Sequence, residues 1–168
     1  MKNLSFIIPD QELNTKLTRL LFIFRELSLN KLQNPVLNIE KLAAFDFLLQ
    51  HVYILHAVLR RNNKRLLFSL TNEEANSINR EYPNTSELYD HKELKVTLQI
   101  LLVYRLITVK LSTDNDALYT ISQHGMVFLD DFSSEYGERL QEITKAIVPL
   151  QGESFRNLIT MIKPYING

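Results

Sequence analysis

The chain has 168 residues, 45% of them hydrophobic, with 19 Lys and Arg against 19 Asp and Glu. A net charge of zero argues against strong autonomous nucleic-acid binding, because a basic excess normally supplies that affinity by neutralising phosphates. The absence of cysteine excludes disulfides, thiolate metal sites and thiol nucleophiles. The N-terminal "MKNLSFIIPDQ" is too short in apolar residues for a signal peptide, and no run approaches the roughly 18 to 20 apolar residues of a membrane span. A soluble, cytoplasmic protein is expected.

Glycine and proline are scarce, so helices are expected to dominate. In "NTKLTRLLFIFREL", Leu17, Leu20, Leu21, Phe24 and Leu27 recur at three- and four-residue spacing, and Phe22 and Ile23 widen the apolar face. Such a helix is either central or packed on a partner. "NKLQNPVL" reads as a break punctuated by Pro35. Asn38 is placed to cap "NIEKLAAFDFLLQHV", with Glu40 in its first turn. "YILHAVLRRNNKR" reads as a short helix ending in a basic, Asn-rich turn. Residues 66–70, "LLFSL", fit a strand or a connecting turn. Thr71 and Glu74 form a capping-box pattern ahead of "NEEANSINREY".

Pro83 and Asn84 mark the next break, and "ELYDHKELKVTLQILLVYR" then reads as one long helix. Strands are expected over 106–111 and 117–121, both rich in residues that suit a pleated surface, around the polar turn "STDND". Ser122 opens the following helix, Gly137 is its expected point of interruption, and "GERLQEITKAIV" carries it to Pro149. A last helix, "ESFRNLITMIKPYI", ends the chain. Helix, strand, tight turn, strand, helix is the layout of a wing. The expected fold is mainly α with a small β-hairpin wing, a winged-helix-like domain with additional N- and C-terminal helices. One domain over 1–168 is expected, with a helical half over about 1–82 and a wing-bearing half over about 84–168.

No catalytic constellation stands out. His51, His56, His91 and His124 occupy separate contexts without metal-ligand spacing, and the neighbours Asp130 and Asp131 point apart on a helix. Four unclustered glycines offer no phosphate loop. No enzyme, metal or cofactor is therefore expected. The candidate contacts with nucleic acid or a partner are the basic turn (Arg60, Arg61, Lys64, Arg65), the helix before the wing (Lys92, Lys95, Gln99) and the wing from Lys110 to Asp116. The basic turn equally suits the positive charge favoured at a helix C-terminus. Two aspartates in "STDND" would repel a phosphate backbone, so this wing is not built as a strong DNA contact. "LLFIF", "FDFLLQHVYIL" and "LQILLVYRLI" supply enough apolar surface for a tightly filled core, for a partner interface, or for both.

The helix, "RLITVKL", acidic turn and "LYTISQHGMVFLDDFSSEYGERL" together resemble the middle component of bacterial ABC three-component systems, and "NIEKLAAFDFLLQHVYILHAVL" is similar to that family's first half. The chain also resembles the small third subunit of Lamassu-type anti-phage and anti-plasmid complexes. That resemblance implies a non-catalytic adaptor joining an SMC- or Rad50-like ATPase to an effector such as a nuclease, with DNA met through the complex and no membrane involved. Winged-helix subunits of condensin-type complexes provide a fold-level analogy. The other expectation is a stand-alone dimeric winged-helix transcription regulator on a palindromic operator.

Overall fold

The computed structural model describes residues 9–76, 83 and 85–166. Helix α1 (Pro9–Leu27) is the element around which the others gather: α2 (Ile39–Gln50), α6 (Lys92–Val103), β2 (Ala117–Ile121), α7 (Gln123–Asp130) and α8 (Glu135–Ile147) all pack on it. Its five consecutive residues Leu20 to Phe24 are all buried. A helix buried around its full circumference has no solvent face to be polar on, which explains the unusually wide apolar stretch.

Between α1 and α2 the chain turns through residues 28–38. Asn30 holds this loop with its side-chain oxygen, which accepts from the Leu32 and Asn34 backbones, and Leu29 bridges Pro35. Asn38 caps α2 as expected, accepting from the Lys41 N–H at 2.9 Å. Every residue of α2 from Leu42 to Leu49 is buried. After His51 the chain bends by 106° into α3 (Val52–Arg61). The His51 ring is buried, stacks on Phe47 and is bonded to the Phe47 carbonyl oxygen, so this histidine holds the corner.

The turn "RRNNKR" is a helix stop. Asn63 takes a left-handed φ of 55°, the Lys64 N–H returns to the Leu59 carbonyl, and the Asn63 N–H to the Arg60 carbonyl. This is a Schellman closure with Asn in the place that most often holds Gly. Residues 66–70 form no strand. Thr71 and Glu74 make the reciprocal capping box over α4 (Asn72–Ala75). The remainder of the helix expected over 72–82 lies outside the described residues, as does the break at Asn84.

The single long helix expected over 87–105 is two, α5 (Ser86–Tyr89) and α6. Asp90 is extended, at φ −100° and ψ 110°, and its carboxylate accepts from the Lys92 N–H. Aspartate bonds neighbouring backbone more readily than it continues a helix. At its far end α6 closes on a second Schellman motif, with Arg105 left-handed at φ 60° and the Leu106 N–H bonded to the Leu101 carbonyl.

Strand β1 (Ile107–Leu111) pairs antiparallel with β2, Val109 opposite Tyr119. In the connecting turn Asn115 is left-handed, and Ser112 Oγ accepts from the Asp114 and Asp116 N–H groups. On the outer edge of β2 the Tyr119 N–H donates to the Leu37 carbonyl. Ser122 caps α7, accepting from Gly125 N–H. Gly125 is required by packing, since a Cβ there would lie 2.2 Å from the Leu106 carbonyl oxygen.

The interruption expected at Gly137 falls earlier, over 131–134. Ser134 starts α8 by accepting from the Gly137 N–H, which places Gly137 in the first turn against the Phe132 ring. Helix α9 (Phe155–Ile162) packs on α2 and α3. Gln151 ties this end of the chain back to α1, donating to the Leu27 and Leu29 carbonyls at 2.8 Å. Buried apolar residues from Leu20 to Ile162 form one cluster.

Candidate partner and nucleic-acid interface

The expected contact residues lie on two surfaces. Arg60 and Arg61 occupy the last turn of α3, followed by Lys64 and Arg65; Arg60, Arg61 and Arg65 are exposed and Lys64 half-buried. Helix α3 packs on α2, α4 and α9, whereas α6 packs on α1, α2 and β1. The basic turn and the helix before the hairpin thus share α2 and otherwise pack on different neighbours. Among the described residues none of Arg60, Arg61, Lys64, Arg65, Lys92, Lys95 or Lys110 forms an ion pair, which leaves these cations available to an acidic or phosphate-bearing partner.

Beside the basic turn is an open cleft of about 760 Å³ whose walls include Tyr53, His56, Arg60, Arg61 and Tyr165, with no carboxylate among the lining residues. Partial burial and then the nearby Arg60 charge hold the His56 pKa below the usual imidazole value. His56 meets the Phe68 ring edge to face.

On α6 the side chains of Lys92, Lys95, Val96, Gln99 and Val103 are all exposed. At 100° per residue they form one stripe about 100° wide. The stripe alternates cation, amide and valine: Val96 is 56% and Val103 78% exposed, and Tyr104 continues it past the helix end. Of the other apolar residues of this segment, Leu94, Leu98, Leu101, Leu106 and Ile107 are buried, and Ile100 and Leu102 are half-buried. "LLFIF" is wholly core, and "FDFLLQHVYIL" is core except for exposed Gln50 and half-buried Tyr53.

In the hairpin turn the two aspartates divide their roles. Asp116 accepts from the Asn38 side chain, which fastens the hairpin base to the start of α2, while Asp114 stays exposed at the tip. Burial, then the Asp116 charge, raises the Tyr119 phenol above its usual pKa. Lys110 lies opposite Leu118, on the face where the Thr108 and Thr120 hydroxyls share a hydrogen bond.

Two ionic nodes escaped sequence reasoning because each joins distant residues. Arg139 of α8 donates to Glu74, to the Ser69 carbonyl and to Glu142, and stands over the Phe68 ring. It thereby fastens the strandless 64–76 segment to α8. The hydrogen bond that Arg139 donates to Glu74 holds its guanidinium above its usual pKa against partial burial. Burial works to raise the Glu74 pKa, but the Arg139 and Thr71 hydrogen bonds outweigh it and hold the carboxyl below its ordinary range.

The second node is Arg19, whose Nε donates to Asp46 at 2.5 Å, with Gln50 on the other carboxylate oxygen. Burial opposes the charge on Arg19, yet Asp46, aided by Tyr136, holds its pKa above the usual value. Breaking one partner of such a buried pair leaves an uncompensated charge. Both nodes are saturated by their own carboxylates.

Among the described residues no cluster of His, Asp and Glu side chains is arranged to hold a metal ion. No single described helix is long and apolar enough to cross a membrane, and the bent pair α2–α3 turns its apolar residues into the core. The organisation is that of a mainly helical chain carrying one small hairpin and, on its exterior, cations without an ion-pair partner among the described residues. Its sequence pattern places it in the ABC three-component systems. The chain belongs to the family of ABC-three component (ABC-3C) system Middle Component 4, whose pattern matches residues 27–160. No curated protein and no solved structure matches it.

Proposed function

We propose that the protein is a non-catalytic adaptor of a Lamassu-like antiviral defence complex, bridging an SMC- or Rad50-like ATPase and an effector nuclease in the cytoplasm. The observation that carries this is the α6 stripe, in which valines exposed at positions 96 and 103 interleave with lysines that have no ion-pair partner among the described residues. Exposed apolar groups beside unpaired charge suit a partially polar protein interface, with the apolar centre and charged rim that such interfaces use. Membership in a middle-component family supports a role alongside other subunits. The hairpin, with Tyr119 bonded to Leu37 on its outer edge as a rudiment of a third strand, supports a winged-helix-derived architecture. DNA meets the assembled complex, and the basic turn contributes phosphate contacts there.

Co-expression of the tagged chain with its neighbouring genes, followed by a high-salt wash, tests the adaptor. Stoichiometric recovery of a large ATPase is expected; recovery of this chain without any other component would overturn the proposal. Reversing Arg60, Arg61, Lys64 and Arg65 to glutamate is expected to weaken DNA binding by the complex, most at low salt. Unchanged binding would remove the basic turn from the DNA path. The outward placement of Lys95 and Gln99, one turn apart, favours a second reading as a dimeric operator-binding regulator. A gel shift of the isolated protein separates the two: nanomolar, sequence-dependent binding belongs to the regulator, weak or absent duplex binding to the adaptor.

A further inference from the structure

The outer edge of β1 is open among the described residues. Register determines which backbone groups lie on it. The Tyr119 N–H points to Leu37 and so away from β1, which makes Val109 and Tyr119 a pair without mutual hydrogen bonds. The bonds Ser112 N–H to Asp116 O and Ser122 N–H to Leu106 O, at either end of the ladder, have the matching alternation. The N–H and C=O groups of Ile107, Val109 and Leu111 therefore point outward from the hairpin, with no backbone partner among the described residues. Above this edge Val109 is 47% and Leu111 64% exposed, on the side of the sheet that also carries Ile107 and Tyr119. An edge with free backbone groups and exposed apolar side chains is a template for another strand.

We propose that the occupant is a second copy of this chain, whose own β1 pairs antiparallel with this one about a two-fold axis at Val109, making a four-stranded sheet across two protomers. Self-complementarity selects both partner and register. Centred on Val109, the two exposed Val109 side chains meet across the axis on the apolar side, and each Leu111 lies opposite Ile107 of the other copy, at the edge of that copy's buried core. Each Lys110 meets Thr108 on the other side, so the lysines lie on a diagonal and not opposite one another. An axis at Lys110 would set like charges face to face, which is unfavourable. An axis at Thr108 would leave Leu111 without an apolar partner.

The chosen register also carries each exposed hairpin tip to the other copy's α6 terminus, where Asp114 falls beside Arg105. Neither Arg105 nor Asp114 has an ion-pair partner among the described residues. Symmetry makes this contact twice. The dimer leaves the basic turn and the part of the α6 stripe from Lys92 to Gln99 free for other partners.

The test is sedimentation velocity of the full chain across a concentration series, with circular dichroism to follow the fold. Wild type is expected to sediment as a dimer at about 100 µM. Val109→Pro removes an N–H that makes no bond within the hairpin, so the ladder survives while the edge is blocked; a monomer with an unchanged spectrum is expected. Arg105→Asp keeps a residue that tolerates left-handed backbone, and Asp114→Arg changes an exposed turn. Each alone is expected to weaken the dimer roughly tenfold, and the two together to restore it to within about threefold. This rescue is independent of whether the proline variant folds. A monomeric wild type, or a dimer indifferent to both the proline and the charge exchanges, would overturn the proposal. So would a monomer whose β1 edge is taken by another component of the system, seen as loss of that component with Val109→Pro.

Discussion

Helices α1 and α6 are both rich in leucine and other large apolar residues, and they end in opposite situations. On α1 the run Leu20 to Phe24 is buried on every side. On α6 only Leu94, Thr97, Leu98 and Leu101 are buried, and Val96 and Val103 stand in solvent. Apolar content alone does not say whether a helix is core or interface. What separates these two is the number of elements gathered around each: α1 meets α2, α6, α7, α8 and β2, while α6 meets α1, α2 and β1.

The contrast implies a graded series of substitution effects, each measurable by chemical denaturation. Phe24→Ala in α1 should be the most damaging, lowering stability by about 3–5 kcal/mol, because a fully buried ring leaves both lost transfer energy and a cavity. A loss below about 1 kcal/mol would mean that α1 is not the centre of the fold.

Gly125→Ala should come next, at about 1–3 kcal/mol, because the added methyl must displace the Leu106 backbone on which α7 sits. Neutral behaviour would show that the seam between α7 and the α6 end is loosely held.

Arg139→Ala should cost about 1–2 kcal/mol once its partial exposure is allowed for. The pH dependence has a definite sign. Glu74 has a lowered pKa in the fold, so its pairing stabilises the protein above the ordinary glutamate range and is lost as pH falls through the depressed folded value. Denaturation midpoints of wild type and Arg139→Ala should therefore converge in acid. A constant gap between them would remove Glu74 as the reason.

The smallest expected stability effect belongs to Val96→Ser with Val103→Ser, within about 0.5 kcal/mol at each exposed site. Their consequence should instead be loss of co-purifying subunits. A large destabilisation would make the α6 stripe structural, and unimpaired recovery of the partners would place the docking surface elsewhere.

Much of the local architecture was legible beforehand. The caps at Asn38, Thr71 and Ser122, the hairpin over 107–121 and the stop after Arg61 all follow from residue chemistry acting over three or four positions. The split at Asp90 was hidden by the strong apolar period of residues 94–102 on its C-terminal side. The break expected at Gly137 lies before Ser134 because a serine side chain that accepts from the N–H three residues on is a stronger helix start than glycine is a stop. Among the candidate contact residues, exposure of Lys92, Lys95, Gln99 and Lys110 fits their expected outward placement. The Arg139–Glu74 and Arg19–Asp46 nodes had no local signature to find.

The sequence by itself determined where helices begin and stop, where the chain reverses at Asn115, and that charge is balanced overall. Those outcomes rest on side chains meeting backbone within a turn. Only tertiary structure decided that Phe22 is covered while Val103 is bare, that Asp116 is fastened to Asn38 while Asp114 is left at the tip, and that β2 is partnered on both edges while β1 is open among the described residues. Burial and pairing of this kind depend on segments as far apart as Leu27 and Gln151 arriving at one place. No periodicity within a single segment records which distant segment will cover it.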